Sequence, residues 1–91
     1  MLGLTWRPAA RRDLNAILEY ISDRDSEAAE RLRTRIFEAI DLARQFPELY
    51  RKGRLLGTRE IVAHSNYVIV YSVLTERIRI IAVLHARQRY P

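Results

Sequence analysis

The residues whose chemistry suits a reactive or binding site lie in the second half of the chain, and most are cationic. His64 and His85 carry imidazole, the side chain that most often serves as a general acid or base. RNA cleavage without a metal needs a base that removes the proton of the 2′-hydroxyl and an acid that protonates the leaving 5′-oxygen. It also needs cations that stabilise the phosphorane. Arg59 and Arg87 would supply the cations, and Tyr90 would stack a base or donate a proton.

Each of these residues has a structural role as the alternative. Arg59 would pair with a carboxylate on the helical hairpin, and His85 would be a hydrogen-bonded residue at a strand end. Arg87 and Tyr90 would cap the sheet. The sequence has no cysteine, no HExxH motif, no nucleophile elbow and no P-loop, so it predicts no metal site and no cofactor.

Charge is distributed unevenly along the chain, whose net charge is +5. Residues 1–46 carry eight basic and eight acidic residues, whereas residues 47–91 carry eight basic and three acidic ones. The excess therefore lies in the second half, which favours an anionic partner such as nucleic acid or an acidic protein segment, with solubility as the plainer explanation. The residues that we expect to contact a target are Lys52, Arg54, Arg59, Arg87, Arg89 and Tyr90.

Hydrophobic periodicity predicts a helical hairpin in the first half of the chain. Apolar residues recur at helical spacing over residues 10–21 and 29–43, which predicts two amphipathic helices joined by a short turn. Pro8 suits a first helical turn, and Pro47 prevents the second helix from continuing. Alternating apolar residues over positions 2–6 predict a short strand before the helices.

The second half reads as a loop followed by three antiparallel strands. Residues 47–57 show no period, and strands are expected over residues 59–63, 67–73 and from 78 onwards. The middle strand is apolar on both faces, which is typical of a central strand. Ile78, Ile80, Ala82 and Leu84 are expected to share one face of the last strand. The predicted fold is α+β, in the order β-αα-βββ, with the helical hairpin packed on the sheet.

The length and composition favour one cytoplasmic domain over residues 1–91. A chain of this size buries only about 60–65% of its unfolded surface, so we expect it to depend on a partner for stability. No stretch is apolar enough to span a membrane, and no signal-peptide core is present. The absence of cysteine fits a reducing compartment.

Short motifs in a fixed order extend over nearly the whole chain. They are Trp6-Arg7-Pro8-Ala9-Ala10, Asp13-Leu14 with Ile17, Tyr20-Ile21, Ala28-Ala29, Phe46-Pro47, Gly57-Thr58-Arg59-Glu60-Ile61-Val62, Tyr67-Val68-Ile69-Val70-Tyr71 and Val83-Leu84-His85-Ala86-Arg87. Together they resemble the RelE/ParE superfamily of type II toxin–antitoxin toxins, closer to its ParE-like and StbE-like branch. The resemblance implies the same helical hairpin on an antiparallel sheet.

The resemblance also implies a small growth-inhibiting toxin of a plasmid stabilization or similar module. Its partner would be a cognate antitoxin, acidic and ParD- or RelB-like, with a segment that folds as it wraps the toxin into a hetero-oligomer. A nucleic-acid-binding module without toxicity is a further alternative.

The target separates the branches of this superfamily. RelE-like members cut mRNA in the ribosome with Lys and Arg on the central strands, but residues 67–73 here contain neither. Only Arg87 and Tyr90 resemble the C-terminal nuclease pair. The resemblance therefore favours a ParE-like inhibitor of DNA gyrase that is not an enzyme. The alternative is a ribosome-dependent mRNA endonuclease that uses Arg59, His64, His85, Arg87 and Tyr90.

Overall fold

The computed structural model describes residues 1–88, which fold as two helices packed on a five-stranded sheet. No helix among these residues is long and apolar enough to cross a membrane. The elements are β1 (Gly3–Trp6), α1 (Pro8–Ser22), α2 (Ser26–Gln45), β2 (Arg51–Lys52), β3 (Thr58–His64), β4 (Tyr67–Val73) and β5 (Arg77–His85).

The two predicted helices are confirmed, and their ends follow from local chemistry. Pro8 lies in the first turn of α1, where its missing N–H removes no helical bond. Asp25 caps α2, because its carboxylate accepts a hydrogen bond of 3.0 Å from the N–H of Ala28. The apolar stripes of both helices face the sheet. Their buried members are Ala10, Leu14, Leu18, Ala29, Leu32, Ile36, Ile40 and Ala43.

The strand order across the sheet is β1-β5-β4-β3-β2, so the predicted central strand is β4. Strands β3, β4 and β5 form the expected antiparallel meander. β1 instead runs parallel to β5, with Gly3 opposite Arg77 and Trp6 opposite Ile80. The predicted α+β architecture is therefore confirmed, with one parallel pairing at the edge that hydrophobic periodicity does not specify.

The predicted two-residue alternation of β5 is wrong, because a β-bulge interrupts it. Val70 pairs with Ala82, but the next residue, Tyr71, pairs with Ile80, which leaves Ile81 as an extra residue. An extra residue sends the following side chains to the other face. Ile78, Ile80 and Val83 therefore lie in the core under the helices, whereas Ala82 and Leu84 pack with Val68 and Val70 on the opposite face.

The sequence predicted that residues 47–57 form a loop, but part of this segment is a strand. Arg51 and Lys52 form the short strand β2 and pair with Glu60 and Arg59 of β3. A strand of two residues is too short to produce a periodic pattern. It covers only the beginning of β3 and leaves the rest of that strand at the edge of the sheet.

Tyr71 of β4 is fully buried and packs in the core between the helices and the sheet. Its hydroxyl donates a hydrogen bond of 2.7 Å to the carbonyl of Pro47, and its ring meets that of Tyr50 edge to face at 6.5 Å. Burial raises the pKa of Tyr71 to about 12, with a smaller upward effect from Tyr50 and an opposing effect from the Arg59 guanidinium. The central strand thus holds the segment that follows α2.

Candidate functional site: two ends of one sheet

The predicted site residues fall into two groups at opposite ends of β3. Arg59 is near its beginning and His64 is its last residue. A strand rises about 3.3 Å per residue, so the two residues are separated by about 16 Å along it. We call the first group the loop end (Lys52–Gly57, with Leu49, Val73 and Arg59) and the second the histidine end (His64, Tyr67, His85 and Arg87).

Tyr67 brings the two histidines together at the histidine end. Its ring centroid lies 6.0 Å from that of His64 and 5.8 Å from that of His85. The β3–β4 and β4–β5 registers produce this arrangement, because Tyr67 is opposite His64 on one side and His85 on the other. The sequence predicts both histidines as candidates, but only the pairing of the strands makes them neighbours.

Each imidazole at this end accepts a backbone hydrogen bond at Nδ1. The N–H of Asn66 donates to His64 at 3.1 Å, and the N–H of Arg87 donates to His85 at 3.3 Å. The neutral proton of each ring therefore lies on Nε2. The expectation that His85 is a hydrogen-bonded strand-end residue is confirmed. Both rings still have an Nε2–H donor for a ligand.

The loop end presents apolar side chains to solvent on an ordered turn. Leu55 is 39% exposed and Leu56 is fully exposed. The carbonyl of Leu55 accepts hydrogen bonds from both the N–H (3.2 Å) and the hydroxyl (2.6 Å) of Thr58, and Gly57 takes a positive φ of 80° that suits glycine. These contacts fix the turn that carries the two leucines.

Ion pairs hold the same turn to the sheet. The Glu60 carboxylate is 4% exposed, and its oxygens lie 2.9 Å from Arg51 Nη2 and 3.7 Å from Arg54 Nε. The N–H of Gly53 donates to the Thr58 carbonyl at 2.8 Å, and a Cβ at Gly53 would overlap with the Thr58 side chain. The basic residues predicted here therefore also have a structural role.

Arg59 forms hydrogen bonds with backbone carbonyls and not an ion pair with a carboxylate of the helical hairpin. The predicted ion pair is therefore wrong. Its Nη1 donates to the carbonyls of Glu48 (3.2 Å) and Tyr50 (2.8 Å). Backbone carbonyls of the irregular segment after α2 are a good cation partner, but no sequence pattern identifies them. Lys52 is exposed directly opposite it in the β2–β3 pairing.

A cationic cavity next to the histidine end was not predicted from the sequence. It has a volume of about 370 Å³, and the side chains of Arg31 and Arg35 from α2 meet His64 and Asn66 there. Ile21, Ala28, Leu32 and Tyr67 complete its wall. The spacing of Arg31 and Arg35 places them on one side of α2, but only the packing of α2 over β3 brings that side to His64. We call this cavity the arginine pocket.

Two predicted contact residues, Arg89 and Tyr90, lie outside the described residues. Within residues 1–88, no group of three or more His, Asp or Glu side chains is arranged to hold a metal ion. The described residues that a nuclease would use are therefore Arg59 at one end of β3 and His64, His85 and Arg87 at the other.

Comparison with known proteins identifies the family to which this arrangement belongs. The sequence profile of the family described as "ParE toxin of type II toxin-antitoxin system, parDE" matches residues 4–90. The chain belongs to the ParE toxin family. Because the family description is that of a type II system, this ParE-family toxin has an antitoxin as its partner.

Individual relatives extend the comparison. The toxin is similar to Y4kP of Sinorhizobium fredii, which is named as a toxin, at 37% identity over 89 residues, covering 97% of this chain and 92% of the relative. Toxin RelE2 of Caulobacter vibrioides is 38% identical over 84 residues, with 90% of each chain covered. Toxin RelE1 of the same organism is 32% identical over 85 residues, with 88% of each covered.

A solved structure has the same fold. A chain of the chromosomal ParDE toxin–antitoxin system from P. aeruginosa superposes with a TM-score of 0.78 and covers 93% of this chain and 96% of its own. The two sequences are only 21% identical, so this likeness concerns the arrangement of helices and strands.

Proposed function

We propose that this toxin inhibits DNA gyrase by binding it in the cytoplasm, and that its antitoxin prevents this by binding the toxin. The observation that carries the proposal is the match of the ParE family profile to residues 4–90. The placement of the candidate catalytic residues at two separate ends supports the same conclusion.

Metal-free RNA cleavage requires its groups around one phosphate. A general acid or base acts within about 3 Å of the atom that it protonates or deprotonates. Arg59 lies about 16 Å along β3 from His64 and already donates to two backbone carbonyls. An inhibitor that binds a protein has no such requirement, because its contacts extend over a broad surface.

We place the contacts with gyrase first at the loop end. Lys52 is exposed beside the exposed Leu55 and Leu56, and Arg54 borders the same turn. An apolar centre with a basic rim fits a partner surface that has an apolar depression and acidic neighbours. Arg59 would act mainly by fixing this region. Arg87, Arg89 and Tyr90 are proposed as additional contacts from the C-terminal tail.

A ribosome-dependent mRNA endonuclease is the alternative, and one observation favours it. His64 and His85 lie on either side of Tyr67, with Arg87 next to His85, so two acid–base groups, an aromatic ring and a cation share one end. Two relatives are also named RelE toxins. In this alternative Arg59 would not be part of the site, and Tyr90 would complete it.

Two assays with the purified toxin test the proposal. We expect inhibition of gyrase-catalysed supercoiling, relieved by prior addition of the antitoxin, and unchanged mRNA in a cell-free translation reaction analysed by primer extension. In cells, DNA synthesis should fall before protein synthesis after induction without antitoxin. Cleaved mRNA with active gyrase would instead establish the nuclease alternative.

The variant Arg87→Ala tests the contribution of the tail. Arg87 is exposed at the end of the described chain, so its loss should weaken toxicity without changing thermal stability. Arg12→Ala, at an exposed position on α1 that belongs to neither end, removes the same charge and is the matched control. Undiminished toxicity of Arg87→Ala would remove the tail from the target-binding surface.

A further inference from the structure

A cavity of about 450 Å³ opens at the loop end. It is lined by the Pro47–Glu48 segment that follows α2, by the Leu55–Thr58 turn and by Val73 of β4. Pockets that hold small ligands begin at about 300 Å³, so this cavity is large enough for a bulky side chain. We call it the leucine cleft, after the Leu55 and Leu56 side chains in its wall.

Exposed apolar side chains extend from the leucine cleft to the end of α2. Phe46 is 57% exposed and Leu49 is 56% exposed, in addition to the leucines of the cleft wall. The N–H of Leu49 donates a hydrogen bond of 3.0 Å to the carbonyl of Phe46, so both residues belong to the turn that also contains the Pro47–Glu48 wall. Exposed apolar residues grouped in this way mark interaction sites, whereas single ones are ordinary.

Hydrogen bonds from the sheet hold this wall of the cleft in place. The Tyr71 hydroxyl donates to the carbonyl of Pro47 at 2.7 Å. Arg59 Nη1 donates to the carbonyls of the two residues on either side of Leu49, at 3.2 and 2.8 Å. These bonds fix the backbone while the Leu49 side chain stays exposed. A surface that is already ordered loses less conformational entropy when it binds a partner.

The charges around the cleft distinguish between kinds of partner. Its charged lining is Lys52, Arg59 and Glu48, which is net positive, and Lys52 forms no ion pair among the described residues. A second copy of this chain would bring the same net charge of +5, which opposes self-association. A nucleic acid would need free donors for its phosphates, whereas Arg59 already donates to backbone carbonyls. The cleft therefore fits a protein surface that presents an apolar side chain beside a carboxylate.

We propose that the leucine cleft receives a bulky apolar side chain of gyrase, that a neighbouring carboxylate of gyrase pairs with Lys52, and that Phe46 extends the contact onto the end of α2. An apolar side chain buried in a pocket is a typical centre of an interface hot spot. The inference rests on the proposed function and specifies the group that the loop end recognises.

The variant Val73→Asp tests the cleft. An inserted apolar side chain would bury the new carboxylate without a partner, so half-maximal inhibition of gyrase supercoiling should need about tenfold more toxin. Val62→Asp is the matched control, because Val62 is also an exposed strand valine (53% against 42%) and lies outside the cleft. It should inhibit gyrase as the wild type does, and circular dichroism shows whether both variants are folded. Equal losses in the two folded variants would overturn the proposal.

The variant Lys52→Glu tests the charge and decides the proposal if Val73→Asp does not fold. It places a carboxylate against the proposed carboxylate of gyrase, so inhibition should weaken by about tenfold and recover partly at high salt. Arg12→Glu makes the same change in net charge at an exposed position on α1 and is the matched control. A loss no greater than that of Arg12→Glu would mean that net charge, and not the cleft, governs the interaction.

The variant Phe46→Ser tests the extension of the contact along α2. We expect about a threefold to tenfold loss of gyrase inhibition, because an exposed aromatic ring at an interface contributes strongly to binding. Tyr20→Ser is the matched control, since Tyr20 is exposed to nearly the same extent, 59% against 57%. Unchanged inhibition by a folded Phe46→Ser protein would remove this residue from the interface.

The same assays separate the failure of this proposal from the failure of the proposed function. If the wild-type toxin leaves gyrase active, the proposed function is wrong, and a growth effect of Val73→Asp would assign the cleft to a different target. If the wild type inhibits gyrase and folded Val73→Asp inhibits it equally well, only the cleft proposal is overturned. Calorimetry with the purified antitoxin adds one more outcome. Weaker antitoxin binding by Val73→Asp, with normal gyrase inhibition, would assign the cleft to the antitoxin.

Discussion

The loop end and the histidine end lie at opposite ends of β3, but they differ in which of their polar groups are bonded within the protein. At the loop end, ion pairs to Glu60 and hydrogen bonds to the Leu55 carbonyl satisfy the polar groups and leave leucines exposed. At the histidine end, His64 borders the arginine pocket, where Arg31 and Arg35 form no salt bridge among the described residues. The first end suits an apolar partner surface and the second suits an anionic one.

This difference gives one small domain two surfaces of different chemistry. The two ends of β3 are about 16 Å apart, so a substitution at one end leaves the contacts of the other end intact. Variants at each end should therefore show which end contributes to toxicity. The following predictions are arranged from the largest expected effect to the smallest.

Replacing the exposed leucines of the loop end should affect toxicity most strongly. Leu55→Ser/Leu56→Ser shortens two exposed side chains, and we expect toxicity to fall by about tenfold or more, as for a hot spot of an interface. Growth after graded induction measures this effect. Stability should change by less than about 0.5 kcal/mol per exposed residue.

Tyr20→Ser provides the matched control, because Tyr20 is also exposed but lies on α1. It should retain full toxicity. Equal losses in both variants would mean that exposed apolar area in general, and not the loop end, carries the effect.

Stability should fall at high pH because of Tyr71. Its pKa is about 12 in the folded chain against an ordinary 10.0, so the unfolded state loses its proton first as the pH rises. The stabilisation is fully present below about pH 10 and is lost between about pH 10 and 12, by about 2–3 kcal/mol. Urea unfolding at several pH values measures it.

Tyr71→Phe is the comparison that isolates this hydroxyl. The variant loses the 2.7 Å bond to Pro47 and about 1–2 kcal/mol at neutral pH. Its stability should then decline less between pH 10 and 12 than that of the wild type. An identical decline in both proteins would assign the effect to other groups.

Arg59→Gln should loosen the loop end moderately. Losing the hydrogen bonds to the carbonyls of Glu48 and Tyr50 should reduce the free energy of unfolding by about 1–2 kcal/mol. Lys52→Gln, at the paired and exposed position on β2, should change it by less than about 0.5 kcal/mol. Similar values for the two variants would show that the carbonyl contacts contribute little.

His64→Ala should have the smallest effect on toxicity. A gyrase inhibitor that binds through the loop end does not need this imidazole, so we expect less than a twofold change. A general acid or base would contribute about 10²–10⁴-fold. A large loss of toxicity in a folded His64→Ala protein would favour the nuclease alternative.

Much of the fold follows from the sequence, because helices and long strands produce periodic patterns. Leu14, Leu18, Leu32 and Ile36 lie where the helical stripes predict, and β4 is central, as its two apolar faces indicate. Local interactions determine these features, so a single sequence contains the necessary information. The bulge at Ile81 is different, because it adds one residue to an otherwise regular alternation.

The candidate site follows from the sequence only in part. His64 and His85 are recognisable by type, but their approach around Tyr67 depends on the register of three strands. Arg59 is recognisable as a cation, whereas its carbonyl partners lie in a segment without a pattern. Arg31 and Arg35 resemble ordinary solvent-exposed helix residues until α2 is packed over β3.

The parallel pairing of β1 with β5 has a consequence for the timing of toxicity. Gly3 is synthesised early, but its partner Arg77 follows both helices and the rest of the meander. The sheet therefore cannot close while the chain is only partly translated, since such distant contacts form late. A partly made toxin lacks the finished β3–β4–β5 framework that carries both ends. The toxin fold is therefore complete only after β5 has been synthesised.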